Sequence, residues 1–145
     1  MTLTAAEASD IKANWAAATA GGATEFIIEL YTQLFTKHPE HMELFSKFKG
    51  RPVAEAVASA EMKAFAAKFA AQFAAFVGAC DDCAKMTALG STLTEEHKSR
   101  GLSADAISKV LCFMGGEVMA KVGDANKDAW KKLMEFFETQ LKASV

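Results

Sequence analysis

Apolar residues recur every three or four positions through most of the chain, and no segment alternates with period two for long enough to make a strand. The pattern predicts an all-α fold of about seven to eight helices. Thr4 and Glu7 have capping-box spacing and open a helix through Ile11 and Trp15 that Gly21-Gly22 ends. Thr24 precedes an apolar run of Phe26, Ile27, Leu30, Tyr31, Leu34 and Phe35, stopped at His38-Pro39 because a residue before proline is pushed out of the α region. Pro39 starts a short turn ending near Phe45. After a loop at 49–52, Ser59 caps a long helix whose inward stripe is Met62, Phe65, Phe69, Phe73 and Phe76. A short helix is expected over 87–97, then a break at Gly101. Ser103 caps the next helix, with Ile107, Val110, Leu111, Met114 and Val118. A last helix is expected from about Asp124, with Trp130, Leu133, Met134, Phe137 and Leu141 on one side.

Composition sharpens this picture. With 145 residues, 51% of them hydrophobic, the chain can bury a real core, and it reads as one domain over 1–145, with no repeat or linker. Alanine is plentiful and only two prolines interrupt, which favours helix. The net charge of −2 comes from interspersed acids and bases, so no basic cluster exists to neutralise phosphates and nucleic acid is not an expected partner. No apolar run approaches the ~20 residues needed to cross a bilayer. The N-terminus lacks a basic-then-apolar leader, so a cytoplasmic protein is expected.

Cysteines are few. Cys80-x-x-Cys83 lacks a second pair or nearby histidine to complete a zinc site, and free thiols are expected. Cys112 is expected to be buried. The pair Gly115-Gly116 marks either a close helix approach or a kink.

Two motifs carry a family resemblance. Leu34-Phe35-Thr36-Lys37-His38-Pro39-Glu40 followed by Leu44-Phe45-Ser46-Lys47-Phe48-Lys49-Gly50 resembles the second helix and the following corner of a globin. Leu93-Thr94-Glu95-Glu96-His97-Lys98-Ser99-Arg100-Gly101-Leu102 resembles the segment bearing the globin proximal histidine. Trp15 and Trp130 fall where invertebrate globins often place tryptophans. The resemblance spans essentially the whole chain. It implies a globin fold, a haem b (iron protoporphyrin IX) cofactor, Phe45 stacked on the haem and Phe48 closing the pocket corner.

Three histidines could hold the iron. His38 lies at a helix break and His41 on a short turn expected to be exposed. His97 ends an amphipathic helix, four residues after Leu93 and on the same face. Alone, a helical histidine is more often a surface or core residue; the resemblance makes His97 the proximal ligand. Thiolate ligation is disfavoured, because Cys80 and Cys83 flank the acidic pair Asp81-Asp82.

On the opposite side of the haem the chain departs from the common globin pattern. The position of the distal histidine is matched by Phe65, and no histidine occurs between Met42 and Glu96. The only tyrosine, Tyr31, falls where globins direct a residue at the ligand, and its hydroxyl is the candidate donor to bound dioxygen; the other reading is a packing residue. Phe65 and Phe69 would roof the ligand, or face the core as Phe73 and Phe76 do. Lys68 either reaches a haem propionate or is a solvated lysine, and Lys47 and Arg100 are further propionate candidates. Leu93, Leu102, Ile107 and Phe137 are expected to line the proximal side, since a macrocycle needs an apolar box.

The function implied is reversible oxygen binding for transport or storage, by a protein that is not an enzyme. A phenylalanine-lined distal pocket resembles that of some clam haemoglobins and opens carriage of sulfide or another small ligand instead. Peroxidase-like or nitric-oxide-consuming chemistry is the third reading, weakened by the missing distal base. Assembly into a homo-oligomer stays open.

Overall fold

The computed structural model describes residues 3–98, 103–122 and 126–142. Among them are seven α-helices and one 3-10 helix: α1 (Ala5–Ala18), α2 (Ala23–Lys37), the 3-10 turn Pro39–Leu44, α3 (Val53–Val57), α4 (Ala60–Gly78), α5 (Cys83–Lys98), α6 (Ala104–Val122) and α7 (Lys127–Lys142). No strand is present among the described residues.

Local chemistry accounts for most boundaries. The Thr4 hydroxyl accepts from the Glu7 amide and the Glu7 carboxylate from the Thr4 amide, both at 3.0 Å. Gly22 begins α2 at φ +118°, a conformation that side-chain-bearing residues rarely adopt. The Ser59 hydroxyl accepts from the Met62 amide and donates to the Ala56 carbonyl at 2.6 Å, joining α4 to α3. The Ser103 hydroxyl accepts from the Ala106 amide at 3.1 Å.

Three expectations need correction. The helix α5 starts at Cys83, a full turn before the expected 87–97. Asp82 caps it by accepting from the Lys85 amide at 3.1 Å, and the Thr87 hydroxyl donates back to the Cys83 carbonyl from inside the helix. His41 is buried, not exposed: it stacks on His38 with ring centroids 5.4 Å apart, and its Nδ1 has no hydrogen-bond partner. Cys112 is exposed, because the buried stripe of α6 runs through Gly115 and Val118 and Cys112 falls off its edge. The short α3 carries no periodic signal, being five residues with Ala56 alone fully buried. The expected start near Asp124 lies outside the described residues, as does Gly101.

In the packed molecule α2 lies against α4, α5 and α6 each lie against α7, and α1 touches α4, α6 and α7. Trp15 of α1 meets Phe26 at 5.6 Å and Phe73 at 5.0 Å, both edge-on. Trp130 of α7 is fully buried, with its indole N–H donating to the Asn14 side-chain oxygen at 3.2 Å. Phe76 is also fully buried and meets Phe137 at 4.9 Å. Burying each such ring contributes roughly 1.5–3 kcal/mol. This core holds α4 and α5 as separate walls, and the candidate site lies with them.

Candidate functional site

The helix α2 turns Tyr31 inward, one turn before Phe35, and α4 turns Phe65 and Phe69 towards it. Tyr31 is 3% exposed and meets Phe65 at 5.1 Å, Phe69 at 5.9 Å and Phe45 at 5.5 Å, each edge-on. Phe45 follows the Pro39–Leu44 turn, and the amide of Phe48 donates to the Phe45 carbonyl at 2.9 Å. That tight turn brings both corner rings against Phe65, Phe45 at 5.8 Å and Phe48 at 6.0 Å. The structure thus brings three of the expected aromatic residues, Phe45, Phe65 and Phe69, against one tyrosine, with Phe48 one ring further out. Phe73 and Phe76 go to the core, as expected.

The other wall is α5. His97 is half-buried near its end, and its Nδ1 lies 2.7 Å from the Leu93 carbonyl oxygen. A carbonyl only accepts, so Nδ1 carries the proton and donates. In the neutral ring the lone pair then belongs to Nε2. An imidazole whose second nitrogen is tied to a backbone carbonyl has the orientation and tautomer that metal-ligating histidines use. Leu93 is buried beneath it.

Lys68 of α4 is exposed, and its ammonium pairs with the Glu96 carboxylate of α5 at 3.7 Å. Gln72, one turn further along α4, donates to the same carboxylate at 3.1 Å. Lys68 therefore stands between the two walls, next to the residue preceding His97. Lys47 is exposed at the corner. Phe137 packs on Phe73 and Phe76 and borders a small apolar cavity shared with Ile27, Leu30, Phe69 and Met134. Arg100 and Leu102 lie outside the described residues, and Ile107 is placed on α6 without a described side chain.

Thiolate ligation finds no support. Cys80 is buried with its Sγ directed at the Ala8 carbonyl, 3.6 Å away, and burial pushes its thiol up from the usual range. Among the described residues no group of three His, Cys, Asp or Glu side chains could hold a metal ion. One imidazole suits a metal that arrives with its other ligands already supplied, which is what a porphyrin does. The apolar ring cluster, a single oriented imidazole and a lysine at the edge together fit a haem. Sequence reasoning missed Gln72 and Glu96; Lys68, one turn before Gln72, was visible, but the pairing of both with Glu96 crosses from one helix to another.

The chain has relatives among known proteins. The globin family model matches residues 28–141. A globin of Aplysia limacina is 30% identical over 149 residues, with 99% of each chain covered. A globin of Chironomus thummi thummi is 27% identical, covering 92% of this chain and 83% of its own. Among solved structures, ferric Aplysia limacina myoglobin superposes with a TM-score of 0.86 at 28% identity over 99% of both chains.

Proposed function

The chain belongs to the globin family, and from that premise we propose that it binds dioxygen reversibly on a haem b held by His97, for oxygen transport or storage in the cytoplasm. Haem-based oxygen binding is general to the family. The observation that carries the assignment to His97 is its Nδ1 hydrogen bond to the Leu93 carbonyl, which leaves Nε2 as the donor atom.

When bound, the haem would supply an iron able to take a histidine and a small ligand, with His97 as the histidine. Phe45 and Phe48 supply apolar surface at the corner, Phe65 and Phe69 from α4, and Leu93, Leu102, Ile107 and Phe137 from the proximal side. Lys68, Lys47 and Arg100 are the cations available to propionates. For Lys68 this means exchanging its exposed partner Glu96, a weak pairing in water. Phe65 has no atom able to ligate iron, and α4 carries no histidine to do so in its place. Tyr31 brings the one hydroxyl on a ring in this aromatic group, and an O–H donor stabilises a ligand that draws negative charge over an apolar one. The same apolar surroundings offer no basic side chain to cleave peroxide, which favours carriage over catalysis.

The test is replacement of the ligand itself. His97→Gly should lose the native visible absorption bands and gas binding, and both should return while free imidazole is supplied. Native bands in the unaided variant would overturn the assignment. The unliganded ferrous protein should be five-coordinate and high-spin; a six-coordinate, low-spin spectrum would mean that a second side chain reaches the iron.

A further inference from the structure

The inner face of α5 carries Met86, Gly90, Leu93 and His97, spaced so that all four fall on one stripe. Met86 and Leu93 fill their positions with side chains, whereas Gly90 does not. A Cβ built there would stand 2.9 Å from Gln140 Cγ, 3.1 Å from Gln140 Cβ and 3.1 Å from its Oε1, all on α7. Contacts below 3.0 Å are not tolerated by real Cβ atoms, and the second close atom is the root of the Gln140 side chain, which cannot swing away. The other helical glycines differ. Gly115 would meet Met134 no closer than 3.7 Å, and Gly78 and Gly116 would meet nothing. Gly90 is also buried, so its α-carbon is itself the packing surface.

We propose that Gly90 is a positioning residue for His97: by letting α5 seat directly on Gln140 of α7, it sets how far the imidazole reaches into the pocket. The inference rests on His97 being the iron ligand. Two helical turns, roughly 10 Å, separate Gly90 from His97, and the hydrogen-bonded helix between them moves as a rod. Near His97 the rod is tied to α4 by Gln72, which donates to Glu96. At Gly90 it rests on α7. A methyl group inserted at the second support, with the first kept, tilts α5 and displaces its last turn. In the haem-loaded protein that displacement would change how closely His97 Nε2 can approach the iron, and with it the binding of a small ligand.

The experiment uses haem-loaded protein with two readouts: the iron–histidine stretching band in the unliganded ferrous state, and the rate of carbon monoxide association. Gly90→Ala should shift the band and change the rate by about three-fold or more, a small part of the roughly 100-fold that a misplacement of reacting groups by about 1 Å can cost. Adding Gln140→Ala, which removes Cγ and Oε1 and leaves only the Cβ contact at 3.1 Å, should bring both most of the way back. An unshifted band in G90A, or a shift that persists undiminished in the double variant, would overturn the proposal. Should G90A fail to hold haem, Q140I crowds the same contact from α7 with the glycine kept; a shifted band supports the proposal and an unshifted one overturns it. Absence of any iron–histidine band in the unsubstituted protein would instead defeat the His97 assignment on which it rests.

Discussion

The two walls of the site, α4 and α5, are built on different principles. The inward face of α4 is crowded with rings: Phe65, Phe69 and Phe73 follow one another at 6.3 and 6.1 Å, and Phe76 continues into Phe136 and Phe137 of α7. Each ring has several neighbours, so position is shared among many contacts. By contrast, α5 has a mostly polar, exposed surface and an inner stripe of Met86, Gly90, Leu93 and His97. Its seating rests on two buried side chains, Met86 and Leu93, one close approach at Gly90 and one carboxylate. The wall that must be stiff is redundant, and the wall that holds the ligand is placed by a few specific contacts.

Substitutions at the two ends of this contrast should separate stability from cofactor retention. Phe76→Ala removes a fully buried ring from α4 and should cost about 3–5 kcal/mol in urea unfolding of the haem-free chain. His97→Gly should cost that chain only about 1 kcal/mol, the ordinary penalty for glycine in a helix, while abolishing haem attachment. Equal losses from both would erase the distinction between the walls.

A smaller effect tests whether the α4 side also recognises the ligand. Tyr31→Phe keeps the ring contacts and deletes the hydroxyl. A hydrogen bond to a partly charged acceptor is worth roughly 1.5–3 kcal/mol, so oxygen release should speed up about ten-fold or more, with a smaller change for carbon monoxide. An unchanged oxygen dissociation rate would leave Tyr31 as packing alone.

The smallest expected effect lies at His41, where the corner meets α6. Burial holds its pKa below the ordinary 6.5, helped by His38 and Lys109 and opposed by Glu40. The unfolded chain therefore binds a proton that the folded chain refuses. Stability should be flat above the ordinary histidine pKa and should fall as the pH drops through it towards the lower folded value. His41→Leu should flatten that slope in unfolding measured from about pH 7 to about pH 5; an unchanged slope would assign the acid sensitivity elsewhere.

Much of this was readable from residue order. The caps at Thr4, Ser59 and Ser103, the stop before Pro39 and the phenylalanine stripe of α4 are local signals, each satisfied within a few residues, and the structure keeps them. The start of α5 was misplaced because threonine serves both as a cap and as an internal hydroxyl that donates backwards, and Thr87 does the latter. The exposure of His41 and Cys112 was misjudged for a related reason. A short turn and a helix edge say nothing of which neighbour covers them.

Residue pattern alone determined the helical class, the order of most elements and the phenylalanine stripe of α4, because hydrogen bonding and burial periodicity act over one or two turns; the role of His97 came from the family resemblance. Tertiary packing decided the rest. Glu96 joins Lys68 and Gln72 from another helix, His41 is buried with Lys109 of α6 near enough to lower its pKa, and the glycine within a helix that lacks room for a side chain, among the described residues, is Gly90, not the conspicuous Gly115-Gly116 pair. Those features depend on the distance between helix axes, which is set by every side chain at the contact together and is written in no single segment.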